Sequence, residues 1–270
     1  MQRTVLLNND VEMPRLGLGT YLSRGEQAVR AVKWALAAGY RLIDTSLAYG
    51  NEREVAEGLR RSGVPRDEVF LTSKLENDDH GYEQTLRAVD RTLANLGTEY
   101  LDLYLVHWPV PGLRDETWRA METLYEAGKA RAIGVSNYTV RHLEEMADYA
   151  RVTPAVNQCE LHPFLYQLDL VRYCRQAGIQ FESYSPLAKA RRLDDPTLNE
   201  IGRIHGRTAA QVMLRWHLQH GLVAIPKSVH RDHIEENWGT WEFELSASEM
   251  ALIDRLDEGR HLDWDPDTEA

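Results

Sequence analysis

The chain has 270 residues, 43% of them hydrophobic and 27% charged, which supplies a substantial core and excludes wholesale disorder. Its formal net charge of −11 is spread along the sequence with no basic block, so nucleic acid and anionic membrane are poor partners. Two cysteines, Cys159 and Cys174, stand at no zinc-site or disulfide spacing, and that favours a reducing compartment. Met1-Gln2-Arg3-Thr4 leads into a strand-like run and not into a signal peptide, and no apolar run is long enough to span a bilayer. The expectation is a soluble cytoplasmic protein, by default a monomer.

Val5-Leu6-Leu7, Asn8-Asn9-Asp10 and Val11-Glu12-Met13 read as a small hairpin whose turn tolerates left-handed backbone, with Pro14 ending it. Leu16-Gly17-Leu18-Gly19-Thr20 follows as a short strand, with glycines where a backbone or ligand can approach closely. Its Gly-x-Gly has Leu22 where a dinucleotide fingerprint needs its third glycine, so a Rossmann reading fails.

From there strand and helix alternate. Ala28, Val32, Ala35 and Leu36 keep helical spacing, as do Leu86, Val89, Leu93 and Leu96, then Leu143, Met146, Ala147 and Ala150, then Ala209, Val212, Met213 and Trp216. Between the helices lie β-rich runs at 42–44, 69–74, 101–107, 132–136, 155–160, 180–184 and 223–226. With 16–20 they make eight strands, most separated by one helix, which predicts a parallel sheet closed into a (β/α)8 TIM barrel. Gly39, Gly63, Gly97, Gly128, Gly178 and Gly221 fall where helices should stop. Asp195-Pro196 has the form of an N-cap and first-turn proline, which places an extra helix in the long gap before Val223. Further helices are expected around 231–238 and 247–256, then an irregular surface tail from Gly259 to Ala270. With no linker or repeat, residues 1–270 are expected to form a single barrel domain with an N-terminal β-hairpin and extra helices near the C-terminus.

The polar residues gather at the carboxyl ends of the strands: Asp44, Lys74, His107, Ser136-Asn137, Gln158 with Glu160, Tyr184-Ser185 and Lys227-Ser228. One barrel mouth would collect them, and that mouth is the functional end. Taken alone, Asp44 reads as a turn former and Tyr49 as a packing residue. An ammonium ending the apolar strand at Lys74 is costly without a carboxylate, however, and Asp44 on the adjacent strand is the natural partner. A Lys⁺ beside a phenol also stabilises phenolate and lowers the tyrosine pKa. The trio therefore reads as a proton-transfer device: Tyr49 the acid, Lys74 the tuner and Asp44 its holder. His107 either orients a substrate oxygen or shares the proton; its bland reading is a core histidine tied to a carbonyl.

Other residues draw plain readings. His217 and His220 suggest a surface pair, His162 a structural residue and Cys159 an inert buried thiol. Glu76 to Asp79 reads as a solvated loop and helix cap.

The chain resembles the aldo-keto reductase superfamily from end to end, most closely its bacterial 2,5-diketo-gluconate reductase branch. The resemblance is carried by Leu16 to Thr20, Asp44-Thr45, Tyr49-Gly50-Asn51-Glu52, Lys74, Leu101 through His107-Trp108-Pro109, Gly134 to Asn137, Asn157 to Pro163, Tyr184 to Leu187 and Ile225 to Ser228. It implies a barrel reducing aldehydes or ketones with a nicotinamide cofactor held without a Rossmann fold. On that match Tyr49 donates the proton, assisted by Asp44, Lys74 and His107. Ser136, Asn137 and Gln158 hold the carboxamide, Tyr184 stacks on the nicotinamide, and Ser185 and Leu187 line the pyrophosphate. Lys227, Ser228, His233, Glu236 and Asn237 belong to the cofactor segment, where Lys227-Ser228 before a helix start makes a local phosphate site.

Two departures bear on this reading. His233 stands where similar reductases usually carry an arginine for the adenosine 2′-phosphate, and imidazole lacks that fixed forked charge. NADPH is still expected first, through Lys227 and a compensating Arg231, with NADH use open. Ala188 replaces a frequent glycine, with little expected effect. Tyr21 and Trp108 are expected walls of a shallow pocket for a small carbonyl substrate. Two rivals stay open: a non-catalytic nicotinamide-binding regulatory or sensing module, and a barrel isomerase or hydrolase holding a sugar phosphate at Lys227.

Overall fold

A computed structural model describes residues 2–266. Met1, where the signal-peptide reading begins, and residues 267–270, the end of the expected tail, lie outside the described residues. Strands β1 (Thr4–Leu6) and β2 (Glu12–Pro14) pair antiparallel with Val5 opposite Met13. The hairpin is therefore as expected. It projects Leu7 and Met13 into one buried cluster with Leu42, Phe70, Leu103, Ala132 and Val156.

Eight strands follow: β3 (Leu18–Gly19), β4 (Leu42–Asp44), β5 (Phe70–Leu75), β6 (Leu101–Val106), β7 (Ala130–Ser136), β8 (Val156–Glu160), β9 (Gln180–Tyr184) and β10 (Val223–Ala224). They lie parallel, in sequence order, in one sheet. The first and last strands meet: Gly17 N–H donates to Ala224 O at 2.9 Å, Ala224 N–H to Arg15 O at 3.0 Å and Gly19 N–H to Pro226 O at 3.1 Å. This closes a (β/α)8 barrel. The two glycines of β3 serve backbone and core here, since a Cβ on Gly19 would lie 2.8 Å from Ile225 O and one on Gly17 would lie 2.5 Å from the Leu42 side chain.

Helices α1 (Gly25–Ala38), α2 (Glu52–Ser62), α3 (Tyr82–Leu96), α4 (Arg114–Glu126), α5 (Val140–Ala147) and α6 (Leu168–Gln176) each follow one strand. The extra helix α7 (Pro196–His205) starts as anticipated, Asp195 accepting from Thr197 and Leu198 N–H. Then come α8 (Ala209–Gln219), α9 (Arg231–Trp238) and α10 (Ala247–Asp254).

Alternation along the strands sets what faces inward. In β5, Phe70 joins the cluster with the hairpin and Lys74 points to Asp44, while Ser73 turns outward to donate to Glu52. The same period in β8 puts Val156 low in the barrel, with Gln158 and Glu160 above it. Hairpin and aliphatic residues thus fill one end of the barrel, and polar side chains crowd the other.

Some expectations need correction. His217 is not on the surface: it is fully buried, and its ring nitrogens meet Met213 O and Leu161 O at 2.7 and 3.0 Å. His220 is half-buried against Tyr166 and Asp254. Helix α8 is covered on nearly all sides, so periodicity alone misjudged its polar face. The Glu76 to Asp79 run forms a short 3-10 turn, but Gly81 and not an acidic residue caps α3.

Candidate active site

Asp44 closes β4, and the chain then makes a short 3-10 turn over Leu47–Tyr49 in which Ala48 N–H donates to Ser46 Oγ. Asn51 braces this loop from beneath. Its Nδ2 donates to Thr20 O and Ser23 O at 2.8 and 2.9 Å, and its Oδ1 accepts from Thr45 Oγ1 at 2.8 Å. Glu52 is buried too, receiving Ser73 Oγ at 2.8 Å and Asn95 Nδ2 at 3.0 Å. The Gly50-Asn51-Glu52 part of the motif is thus structural. It holds Tyr49 in place.

Lys74 reaches across from β5. Its Nζ donates to Asp44 Oδ1 and Oδ2 at 2.7 and 2.8 Å, to Thr45 O at 3.0 Å and to Tyr49 Oη at 3.2 Å. Burial works against the Lys74 ammonium, but the Asp44 carboxylate and the Tyr49 oxygen outweigh it and raise its pKa. The predicted trio therefore assembles, with one difference. Burial dominates at Tyr49 and raises the phenol pKa, with Lys74 only partly opposing it. Lysine proximity does not carry the tyrosine toward neutral pH. The phenol stays protonated, as an acid requires.

His107 follows β6, its ring 5.9 Å from that of Tyr49 and edge-on to it. Burial first, then the Lys74 charge, pulls its pKa down to about 3, so the imidazole is neutral. Nδ1 lies 3.4 Å from Ser46 Oγ. With that hydroxyl donating to Nδ1, the N–H sits on Nε2 and is available as a donor. The orienting role fits this geometry better than proton sharing.

A second group lies on β7, β8 and β9. Ser136 Oγ donates to Gln158 O at 2.8 Å, Asn137 Nδ2 to His107 O at 3.0 Å, and Tyr184 Oη to Asn137 Oδ1 at 2.9 Å. Asn137 has φ 64°, a left-handed conformation that asparagine tolerates. Gln158 Nε2 donates both to Asp44 Oδ2 at 2.9 Å and to Glu182 Oε2 at 2.7 Å, joining this group to the Asp44–Lys74 pair. The sequence reading missed Glu182. Its signal was the alternation itself, because a residue two before Tyr184 must also face into the barrel.

Beyond β9, Ser185 and half-buried Leu187 enter a loop where Ala188, Lys189 and Ala190 have φ 49°, 53° and 59°. Ala188 therefore matters more than expected: a Cβ sits where glycine is preferred, at a cost of about 1–2 kcal/mol for each left-handed residue. Lys189, also unanticipated, pairs with Asp263, whose carboxylate accepts from Ser185 Oγ at 3.3 Å as well. Lys227 is exposed, Ser228 buried and His233 exposed with its ring 5.4 Å from His230. Glu236 turns away to accept from Thr208 Oγ1 at 2.7 Å, Asn237 is buried, and Arg231 is held by Glu235 at 2.7 Å. These five thus form a looser group than the barrel residues, with Arg231 already committed.

Residues 259–265 of the tail are irregular as expected, but they are anchored across the mouth. Glu160, at the end of β8, accepts from Leu262 N–H at 2.9 Å and Asp263 N–H at 3.1 Å, and meets His162 and His261 at 3.2 and 3.3 Å. Trp264 packs edge-on to Trp108 at 5.9 Å, while Tyr21, 49% exposed, leans on Tyr49 at 5.0 Å. Burial opposes the Glu160 charge, yet these hydrogen bonds hold its carboxyl down at about 2, and the bond to Glu160 raises the His261 pKa. The lowered carboxyl favours docking above 4.5 and loses that contribution as pH falls toward 2. The raised imidazole favours docking below 6.5 and loses its contribution as pH rises through the folded pKa. Hydrogen exchange at Leu262 and Asp263, corrected for intrinsic rates, should therefore be slowest between these limits. Glu160→Gln should speed it about tenfold by weakening charge-assisted bonds. Protection that ignores both pH and the substitution would remove the latch.

A protonated phenol, a charged lysine, a neutral imidazole and an amide-rich wall thus meet at the mouth of a (β/α)8 barrel. The chain belongs to the aldo/keto reductase family, whose model matches residues 15–258. It is 48% identical to a glyoxal reductase of Bacillus subtilis over 268 residues, 99% of this chain and 97% of that protein. It is 47% identical to a 9,11-endoperoxide prostaglandin H2 reductase of Trypanosoma cruzi, covering 97% and 94%. Among solved structures, MGS-M4, an aldo-keto reductase from a Medee basin deep-sea metagenome library, superposes with a TM-score of 0.95 at 43% identity, covering 97% of this chain and 98% of that one. The protein is thus an oxidoreductase of a family that reduces carbonyls. No helix among the described residues is long and apolar enough to cross a membrane.

Proposed function

We propose that the protein reduces small aldehydes or ketones to alcohols with NADPH, accepting NADH as well, and that Tyr49 supplies the proton. The observation that carries this reading is Lys74 Nζ set between the Asp44 carboxylate at 2.7 Å and the Tyr49 phenol at 3.2 Å. Residues suited to the cofactor are present. Ser136, Asn137, Gln158 and Tyr184 offer amide and hydroxyl groups, and Ser185 and Lys189 already converge on a carboxylate, the Asp263 side chain, as they would on a phosphate. A bound nicotinamide supplies hydride from its C4 to the carbonyl carbon.

The chain's own part is to place and protonate the oxygen. Because Tyr49 Oη accepts from Lys74, its own hydrogen is directed away from the ammonium and is free for a substrate oxygen. His107 Nε2–H is a second donor, so charge developing on that oxygen meets two fixed hydrogen bonds. As the proton leaves, Lys74 stabilises the phenolate and Asp44 keeps Lys74 charged and oriented. Tyr21, Trp108 and Trp264 wall the approach, which suits a small substrate. We take the chain to act as a monomer in the cytoplasm.

The test is oxidation of NADPH and of NADH with glyoxal, other small aldehydes, α-keto esters and diketo sugars. Glyoxal is included because a similar protein is named for its reduction. Consumption of either cofactor is the expected result; binding of both without consumption would leave a sensing module as the better reading. His233→Arg, at an exposed position on α9, should raise the NADPH-to-NADH preference about tenfold by adding a charged bond to the 2′-phosphate. An unchanged ratio would remove His233 from the phosphate site.

A further inference from the structure

Glu182 lies inside the barrel on β9, fully buried. Its Oε2 accepts from Gln158 Nε2 at 2.7 Å, and its Oε1 is buried with no partner among the described residues. The same Gln158 nitrogen donates to Asp44 Oδ2 at 2.9 Å. An amide nitrogen has two hydrogens. Both are therefore committed to carboxyl oxygens within the barrel, and neither is left for a ligand at the mouth. Turning the amide over would set its oxygen against two carboxyl oxygens, so the pair of acceptors decides which way Gln158 faces. Asp44 is engaged by Lys74 whatever Gln158 does. Glu182, whose only side-chain hydrogen-bond partner among the described residues is Gln158, is the residue free to act as the lock.

We propose that Glu182 is a positioning residue that fixes the Gln158 amide with its oxygen as the group offered to the cofactor, so that the site selects a dinucleotide whose nicotinamide carries a carboxamide N–H2. The inference rests on the nicotinamide reading above. It goes beyond that reading by assigning the hydrogen-bonding sense of Gln158 to a carboxyl that faces neither substrate nor cofactor.

Equilibrium binding, followed by quenching of tryptophan fluorescence, tests this without turnover. Three probes are used: NADPH, the 3-acetylpyridine analogue of NADPH, which has a methyl group in place of the amide nitrogen, and 2′,5′-ADP, which lacks the nicotinamide. Wild type should bind the acetylpyridine analogue about tenfold more weakly than NADPH, a loss of about 1.4 kcal/mol. Equal affinities would overturn the proposal with no variant involved. Glu182→Leu should reduce NADPH affinity about tenfold, abolish discrimination between the two dinucleotides and leave 2′,5′-ADP affinity unchanged. Glu182→Gln keeps an acceptor oxygen for Gln158 and should restore the discrimination. A Glu182→Leu protein that discriminates as wild type does, or a Glu182→Gln protein that fails to, would refute the lock. So would equal weakening of NADPH and 2′,5′-ADP in a Glu182→Leu protein that still melts cooperatively, since that is what a merely structural role predicts. Wild type binding none of the three probes would instead overturn the nicotinamide reading, and the proposal with it.

Discussion

Tyr49→Phe should lower carbonyl reduction by about 10²–10⁴-fold, the range that a positioned general acid contributes, with cofactor affinity essentially unchanged. The substitution is conservative in shape. The ring keeps its contact with Tyr21 at 5.0 Å, and Lys74 keeps its bonds to both Asp44 oxygens and to Thr45 O. Only the hydroxyl goes. Since burial keeps the His107 imidazole neutral, with its pKa pulled down to about 3, that residue is a poor substitute as acid at neutral pH. Single-turnover measurement of cofactor oxidation separates the chemical step from binding and release. A Tyr49→Phe rate within tenfold of wild type would mean that the proton comes from elsewhere, and the Lys74 contact would then need another purpose.

Lys74→Met carries the second large effect, and it falls on stability as well as on rate. The Lys74 and Asp44 side chains are only 1% and 2% exposed. Removing one partner strands the other's charge in the barrel, which typically costs about 3–5 kcal/mol. Gln158 Nε2 would remain as a neutral donor to Asp44 and would offset part of this. Pairing the change with Asp44→Asn removes the stranded charge, so the double variant should recover most of the lost stability while remaining inactive. Urea unfolding of wild type, the single variant and the double variant checks the cycle. Two variants equally unstable would show that packing of the lysine stem, and not charge, is what the barrel loses.

The fold was legible because strand and helix keep different periods and β3 to β10 are short runs at regular intervals. The predicted capping of α7 holds for the same local reason, since Asp195 and Pro196 act on their own helix. The meeting of Asp44, Lys74 and Tyr49 was legible through strand-end position and charge compensation. What stayed hidden depends on contacts far apart in sequence. Glu182 meets Gln158 and Asp263 meets Lys189 only once the barrel closes and the tail returns across it. His217 was misjudged because its ring meets Leu161 O, just past β8 and far away in sequence, and no pattern within α8 carries that information. The Tyr49 pKa went wrong for a related reason: proximity to Lys74 is visible in the strand order, while desolvation depends on everything packed around the ring.

Asp263 behaves as a ligand that the chain carries with it. Its carboxylate holds Ser185 and Lys189, and Glu160 grips the neighbouring backbone to keep it there. A tethered group competes at an effective concentration set by its tether, commonly in the millimolar range for a short one. Any free anion that takes Ser185 and Lys189 is then bound more weakly than the bare pair would bind it. By the same exchange, an anion that has begun to leave finds its place retaken before it can rebind. Replacing Asp263 by alanine should therefore lengthen the residence of any anion that those two residues hold.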